Sequence, residues 1–199
     1  MKKVIVANHN KTLIPDPFDV DIADQEYRKR WPSEYEAHKG KPWLPEARAH
    51  LKELEESGVY VEKPFTGVAE FLFGLRDTGI GFALFAGAPP EKLKDKYTAY
   101  GLGPLDGFYG TKEERFSVEG ERDNPESFRK LQQIMEAGGL EPVAYVSNNR
   151  NHAQVAADLW GHGFVFDAGS VERTEGGLYI ISDWIQMTAQ KAANFLGVR

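Results

Sequence analysis

The sequence predicts an α/β protein, a doubly wound parallel sheet with a small helical cap inserted after the first strand. Three observations predict this architecture. Residues 4–8 form a β-branched run that is apolar on both faces, as in a strand covered by helices on either side. Residues 15–63 change to a composition rich in proline, charge and aromatic residues. From residue 66 onward, short apolar runs alternate with segments of helical periodicity, which is typical of parallel sheets.

The first strand and the composition change after it divide the chain into two predicted parts. We assign residues 1–14 and 64–199 to the α/β core and residues 15–63 to the cap. Within the cap, Pro45 precedes a predicted helix over residues 46–57, and Gly58 ends it. Apolar residues at positions 47, 51 and 54 share one face of that helix.

The remaining elements follow in order along the core. Apolar residues at helical spacing predict a helix over residues 68–75, and Gly79 ends it. Residues 103–125 are predicted to be a long connection punctuated by glycine and proline. Asp183, with Gln186 three residues later, predicts a capping box at the start of a last helix. The other predicted elements are strands at 80–86, 143–147, 164–167 and 179–182, and helices from 91, over 126–137 and over 153–160.

Composition excludes several classes of protein. The formal net charge is -6 and no basic stripe is present, so nucleic-acid binding is not expected. The chain has no cysteine, which excludes disulfides, thiolate catalysis and cysteine-ligated zinc. Its apolar runs are far shorter than the roughly 20 residues that span a bilayer. The N-terminus enters the first strand at once, without room for a signal peptide, so we expect no membrane partner and a cytoplasmic location.

Four segments, in order and spacing, resemble the haloacid dehalogenase (HAD) superfamily of hydrolases and phosphatases, which has a Rossmann-like core. They are V-I-V-A-N-H-N-K-T-L from residue 4, the stretch from residue 65 to F-A-G-A-P, D-N-P-E-S-F-R-K-L from residue 123, and A-Y-V-S-N-N-R-N-H from residue 144. The resemblance covers nearly the whole chain apart from the cap. It implies that the carboxyl ends of the strands carry the site, as is general in open α/β sheets.

Each chemically active position that the resemblance implies is changed in this chain. Asn8 and Asn10 stand where the family has its nucleophilic and acid–base aspartates. Ala86 replaces the hydroxyl that holds the phosphoryl group, Asn124 aligns with the family's lysine, and Asn148 aligns with an acidic magnesium ligand. Thr12, whose family role is structural, is retained.

These changes predict that the usual aspartyl-phosphate chemistry is lost. An amide is neutral and carries no proton that it could shuttle near pH 7, whereas the family's mechanism needs a carboxylate nucleophile and a carboxylate proton carrier. Magnesium prefers charged oxygen ligands, so its binding is also expected to be lost and no cofactor is expected. Several coordinated neutral substitutions favour a natural pseudoenzyme that binds or scaffolds. The alternative is an atypical hydrolase with metal-independent or histidine-based chemistry.

Structural roles and ligand binding also stay open for the same residues. Asn8 and Asn10 fit a purely structural role in holding loop backbones, and also ligand binding. His9 and His152 follow the first and fourth predicted strands, where two imidazoles facing each other could bind a ligand, with Asn149 beside them. The cap aromatics either pack the cap or offer a lid or a partner surface; they are Tyr27, Trp31, Tyr35 and Trp43. The sequence therefore leaves open a small polar or phosphorylated ligand, a protein partner or docking onto an active relative.

Overall fold

The computed structural model describes residues 1–15, 21–38, 45–116 and 118–198. These residues divide into two compact units, one formed by Met1–Leu13 with Pro64–Arg199 and the other by Ile14–Lys63. The first unit contains the sheet, and the second is the helical insertion that follows the first strand. Among the described residues, no helix is both long enough and apolar enough to cross a membrane.

Within the described part of the chain, the sheet has seven strands in the order β3-β2-β1-β4-β5-β7-β6. All neighbouring pairs are parallel except β6 and β7, which are antiparallel at the edge. This mostly parallel sheet confirms the predicted fold class. The strands are β1 (Lys2–Ala7), β2 (Gly81–Ala86), β3 (Gly107–Gly110), β4 (Leu140–Ser147), β5 (Gly163–Phe166), β6 (Arg173–Glu175) and β7 (Leu178–Ile181).

Helices cover both faces of the sheet, which explains why β1 is apolar on both sides. Val4 and Val6 share a buried cluster with residues of α6 and α7. On the other face, Phe71 of α4 meets Phe82 of β2 edge-on. The helices of this unit are α4 (Val68–Asp77), α5 (Pro90–Ala99), α6 (Pro125–Ala137), α7 (Arg150–Trp160) and α8 (Ala189–Phe195).

The insertion contains α1 (Asp21–Arg30), α2 (Pro32–His38) and α3 (Pro45–Glu56). The predicted helix over residues 46–57 is therefore present, with Pro45 at its first position. The ring of Trp31 stacks on His50 at 3.7 Å between centroids, and Arg28 donates to the Tyr35 hydroxyl at 2.8 Å. These two cap aromatics thus have partners inside the insertion. Trp43 and the side chain of Tyr27 lie outside the described residues.

Two sequence predictions about the core were wrong. The connection over residues 103–125 contains β3, a strand of four residues whose two glycines leave no visible apolar–polar alternation. The capping box predicted at Asp183 is half formed, since Asp183 accepts a hydrogen bond from Gln186 N at 2.7 Å, but it closes a turn. The last helix begins at Ala189 instead, where the hydroxyl of Thr188 accepts from Lys191 N.

Candidate functional site

Asn8 lies one residue beyond β1 and is 8% exposed. Its backbone N–H donates to Val146 O at 2.8 Å, which continues the pairing with β4. Arg122 Nη1 donates to its side-chain oxygen at 2.5 Å. Its side-chain nitrogen lies 3.0 Å from Asn10 O, 3.3 Å from Asn148 Oδ1 and 3.4 Å from Thr12 Oγ1. Because a guanidinium only donates and a backbone carbonyl only accepts, these partners fix which way the amide points.

Thr12 joins the loop after β1 to the end of β4. Its buried hydroxyl accepts from Asn148 N at 3.0 Å and lies 3.3 Å from both Asn10 O and Asn148 Oδ1. On the other side of the residue, Trp184 Nε1 donates to the backbone oxygen of Thr12 at 2.7 Å. The residue therefore fastens the site loop to two separate parts of the core.

The structure thus brings four of the six predicted site positions into one cluster, Asn8, Asn10, Thr12 and Asn148. The side chains of Asn10 and Asn148 are exposed, and Asn10 contributes its backbone oxygen to the contacts of Asn8. We call these four residues the amide cluster. Its members meet because β1 and β4 are neighbours and end at the same edge of the sheet.

Ala86 is the last residue of β2, at the same sheet edge. It is 2% exposed, and its backbone oxygen accepts from Thr111 N at 2.8 Å, just past β3. A methyl group at this strand end can neither donate nor accept a hydrogen bond.

Arg122 is the site residue that sequence reasoning missed. It lies on the single helical turn Glu121–Asp123 and bridges Asn8 to the Tyr145 hydroxyl, which is 3.0 Å from Arg122 Nη1 and donates to Phe85 O at 2.9 Å. Asn124, which was aligned with the family's lysine, instead caps α6. Its side-chain oxygen accepts from Glu126 N, and its nitrogen donates to Glu119 O. Because the side chain of Asn124 caps the helix, the positively charged group beside Asn8 is the guanidinium of Arg122, two residues earlier.

The electrostatics keep Arg122 charged and Tyr145 neutral. Burial lowers the pKa of Arg122, but Tyr145, Glu121 and Asp123 outweigh it, and the pKa ends above its usual value. Complete burial raises the pKa of the Tyr145 phenol, and the nearby guanidinium only partly offsets this. The site therefore contains one largely buried positive charge, bonded to a neutral amide and a neutral phenol.

The pairing of His9 with His152, which the sequence leaves open, does not form in the structure. His9 is 4% exposed, and its Nδ1 lies 3.3 Å from the hydroxyl of Tyr97 on α5. His152 is on α7, where its Nε2 lies 3.2 Å from Asn149 Nδ2 and 3.4 Å from Asp123 Oδ1. The chain bends at His9, two residues beyond β1, and the ring of His9 lies against α5 while the side chain of Asn8 lies against Arg122. Asn149 also caps α7 by accepting from Asn151 N at 2.9 Å.

The pKa of His152 is lowered, first by burial and second by the charge of Arg122, against an opposing effect of Asp123. The unfolded chain therefore binds a proton near pH 6.5 more readily than the folded protein does. Stability from this residue is fully present above about pH 6.5 and is lost as the pH falls towards the folded pKa.

The pH dependence of stability tests this assignment of His152. As the pH falls from 7.5 to 5, we expect the urea midpoint of His152→Gln to fall less than the urea midpoint of the wild type. His162, whose pKa is also lowered, is unchanged in both proteins, so equal slopes would contradict the assignment.

A separate groove of about 640 Å³ lies between α4 and α8. Phe71 and Trp184 form part of its floor, and Ile185 on its rim is 67% exposed. None of the residues that line it belongs to the amide cluster. This groove and the strand-end cluster are thus different places.

This chain is similar to known proteins at the level of the fold. No protein-family model and no curated protein sequence matches the chain. Among solved structures, L-2-haloacid dehalogenase from Xanthobacter autotrophicus, with chloropropionic acid covalently bound, matches with a TM-score of 0.60 at 17% identity. The match covers 93% of this chain and 96% of the dehalogenase. The chain has the HAD fold.

Two further solved structures with the HAD fold match over similar lengths. A HAD-superfamily hydrolase from Ehrlichia chaffeensis gives a TM-score of 0.56 at 13% identity and covers 98% of this chain and 95% of its own. A subfamily IA hydrolase from Geobacter sulfurreducens gives 0.53 at 11% identity, with 92% and 93% covered. At identities this low, the matches show a shared fold, and the chemistry has to be argued from the residues of the site.

The magnesium ion expected in a HAD phosphatase does not fit the amide cluster. The described residues contain no group of three or more His, Cys, Asp or Glu side chains arranged to hold a metal. The oxygens of Asn10 and Asn148 converge, but they meet the hydrogens of the Asn8 amide. Two N–H hydrogens directed at these oxygens occupy the space and the lone pairs that a hard cation would need.

Proposed function

We propose that this protein is a non-catalytic member of the HAD fold, a pseudoenzyme that binds or scaffolds. The observation that carries the proposal is the state of Asn8. Its amide oxygen is bonded to Arg122 and its nitrogen is directed at three oxygens. An amide held in this way is neutral and provides no attacking electron pair comparable to that of a carboxylate.

The remaining positions support the same conclusion. Asn10 has no proton to deliver to a leaving group near pH 7. Ala86 provides no hydroxyl, and Asn124 is committed to capping α6. Removing a single preorganised group commonly costs a factor of about 10² to 10³ in rate. Losing the nucleophile, the acid–base group and the metal together leaves no route for aspartyl-phosphate chemistry.

Binding has two supports in the structure. The exposed side chains of Asn10 and Asn148 offer uncharged donors and acceptors to a small polar ligand at the sheet edge. Trp31 and Tyr35 in the insertion are half-buried and supply aromatic surface of the kind enriched at protein interfaces. We also propose that the protein is cytoplasmic and that the cap domain spans residues 15–63.

Histidine-based hydrolysis is the second candidate. One observation favours it: His152 lies beside Asp123, and its Nδ1 is buried without a hydrogen-bond partner among the described residues. A histidine oriented by a carboxylate is the arrangement of a general base. His9 contributes nothing to it, because its ring lies against Tyr97.

Hydrolysis assays test both candidates. We expect the purified protein to show no magnesium-dependent hydrolysis of p-nitrophenyl phosphate or of a broad panel of phosphate esters. Turnover that disappears in Asn8→Ala would overturn the pseudoenzyme proposal. Turnover that resists EDTA and disappears in His152→Gln would instead establish the histidine-based alternative, with His162→Gln as the matched control.

A further inference from the structure

The amide of Asn8 has the contacts that a bound cation would have. Its nitrogen lies 3.0 Å from Asn10 O, 3.3 Å from Asn148 Oδ1 and 3.4 Å from Thr12 Oγ1. These oxygens come from three residues on two strand ends and converge on a single point. Oxygen atoms that converge in this way are stabilised by a donor or a positive charge between them, because their lone pairs otherwise face each other and repel.

Arg122 holds that amide in its orientation. Its Nη1 donates to Asn8 Oδ1 at 2.5 Å, and a guanidinium cannot accept a hydrogen bond. Turning the amide around would direct its N–H groups at the guanidinium and its oxygen at two acceptors. Both ends would then repel their neighbours, so the nitrogen is fixed towards the oxygens.

We propose that the side-chain amide of Asn8 replaces a cation, so that this strand end is a divalent-cation site closed by one residue. The proposal goes beyond the pseudoenzyme function, since it concerns what holds the oxygens together and not turnover. It predicts that exchanging the amide nitrogen for oxygen suffices to open the site. The ligands would then be the new carboxylate, Asn10 O and Asn148 Oδ1, with water completing the shell of a hard cation such as Mg²⁺ or Ca²⁺.

The test compares Asn8→Asp with the wild type by thermal unfolding and isothermal titration calorimetry in MgCl₂ and CaCl₂, at constant ionic strength. We expect the wild type to be unaffected by either cation. We expect Asn8→Asp to bind one cation with a dissociation constant on the order of 10⁻⁴ to 10⁻³ M. At 10 mM cation its Tm should then rise by about 3–10 °C.

Two matched variants separate the amide from general charge. Asn10→Asp adds the same charge on an exposed side chain, although only the backbone oxygen of this residue belongs to the set. Asn148→Asp adds the charge at one of the converging oxygens but leaves the amide of Asn8 in place to donate to it. Neither variant should respond to the cation.

Three results would overturn the proposal. One is a cation response in the wild type, and another is a response in Asn148→Asp as large as that in Asn8→Asp. The third is a folded Asn8→Asp protein that ignores both cations, because the carboxylate would then be satisfied by Arg122 alone. If Asn8→Asp does not fold, the Asn148→Asp titration still decides whether the amide excludes the ion.

Discussion

We expect Trp184→Ala to lower the free energy of unfolding by about 3–5 kcal/mol, the cost of emptying a large aromatic site in a packed core. Trp184 is 2% exposed and packs against Phe71 and Phe166, at 5.1 and 5.7 Å between ring centroids. It also donates to the backbone oxygen of Thr12. The substitution therefore removes core packing and releases the loop that carries the amide cluster. Urea unfolding followed by circular dichroism measures the loss.

Trp184→Phe is the control that separates the two contributions. It keeps most of the ring packing and loses the indole N–H, so we expect a smaller loss of about 1–2 kcal/mol. Hydrogen exchange at the amide of Asn148, which donates to Thr12 Oγ1, should become faster in both variants. A loss in Trp184→Phe equal to that in Trp184→Ala would assign the whole effect to the hydrogen bond and contradict the packing argument.

Gly67→Ala is expected to lower the free energy of unfolding by about 2–5 kcal/mol. Gly67 has φ of 95°, where a β-carbon costs about 1–2 kcal/mol. A methyl group there would also lie 2.4 Å from the backbone carbon and oxygen of Trp184. Overpacking of this kind adds about 1–3 kcal/mol. The clash is with backbone, which cannot rotate away, so the turn that carries Trp184 must shift.

Gly79→Ala provides the matched control for Gly67→Ala. Gly79 also has a positive φ, 73°, but a β-carbon there meets nothing within 4 Å. Gly79→Ala should lower the free energy of unfolding only by the cost of the positive φ, about 1–2 kcal/mol. The difference between the urea midpoints of Gly67→Ala and Gly79→Ala then measures the stability lost through the steric clash with the backbone of Trp184. Equal losses would show that this approach contributes nothing.

The two positions matter for function because they support the site from behind. Gly67 permits the close approach of the chain at Trp184, and Trp184 holds Thr12, whose hydroxyl joins Asn10 and Asn148. The two substitutions therefore also test how firmly the amide cluster is held by the core.

Local patterns were enough to predict much of the core. β1, β2 and β4 contain apolar runs, and α4 and α6 have strong helical spacing, so their existence follows from the hydrophobic pattern. Asn8, Ala86 and Asn148 were placed at one sheet edge because parallel strands carry their sites at their carboxyl ends. β3 was missed because G-F-Y-G is short and lies on the edge side of β2, where it shows no clear alternation.

The sequence by itself determined that amides and a methyl group follow or end β1, β2 and β4, which depends only on residue type and on the order of strands. That acids and a hydroxyl stand at these positions in HAD enzymes is what the resemblance implies. Only the tertiary structure decided that Arg122, and not Asn124, lies against Asn8, and that His9 and His152 face different elements. The physical reason is that such contacts depend on how a turn or a helix cap aims a side chain, in the case of Arg122 towards a residue 114 positions away in the sequence. Local periodicity contains no information about that direction.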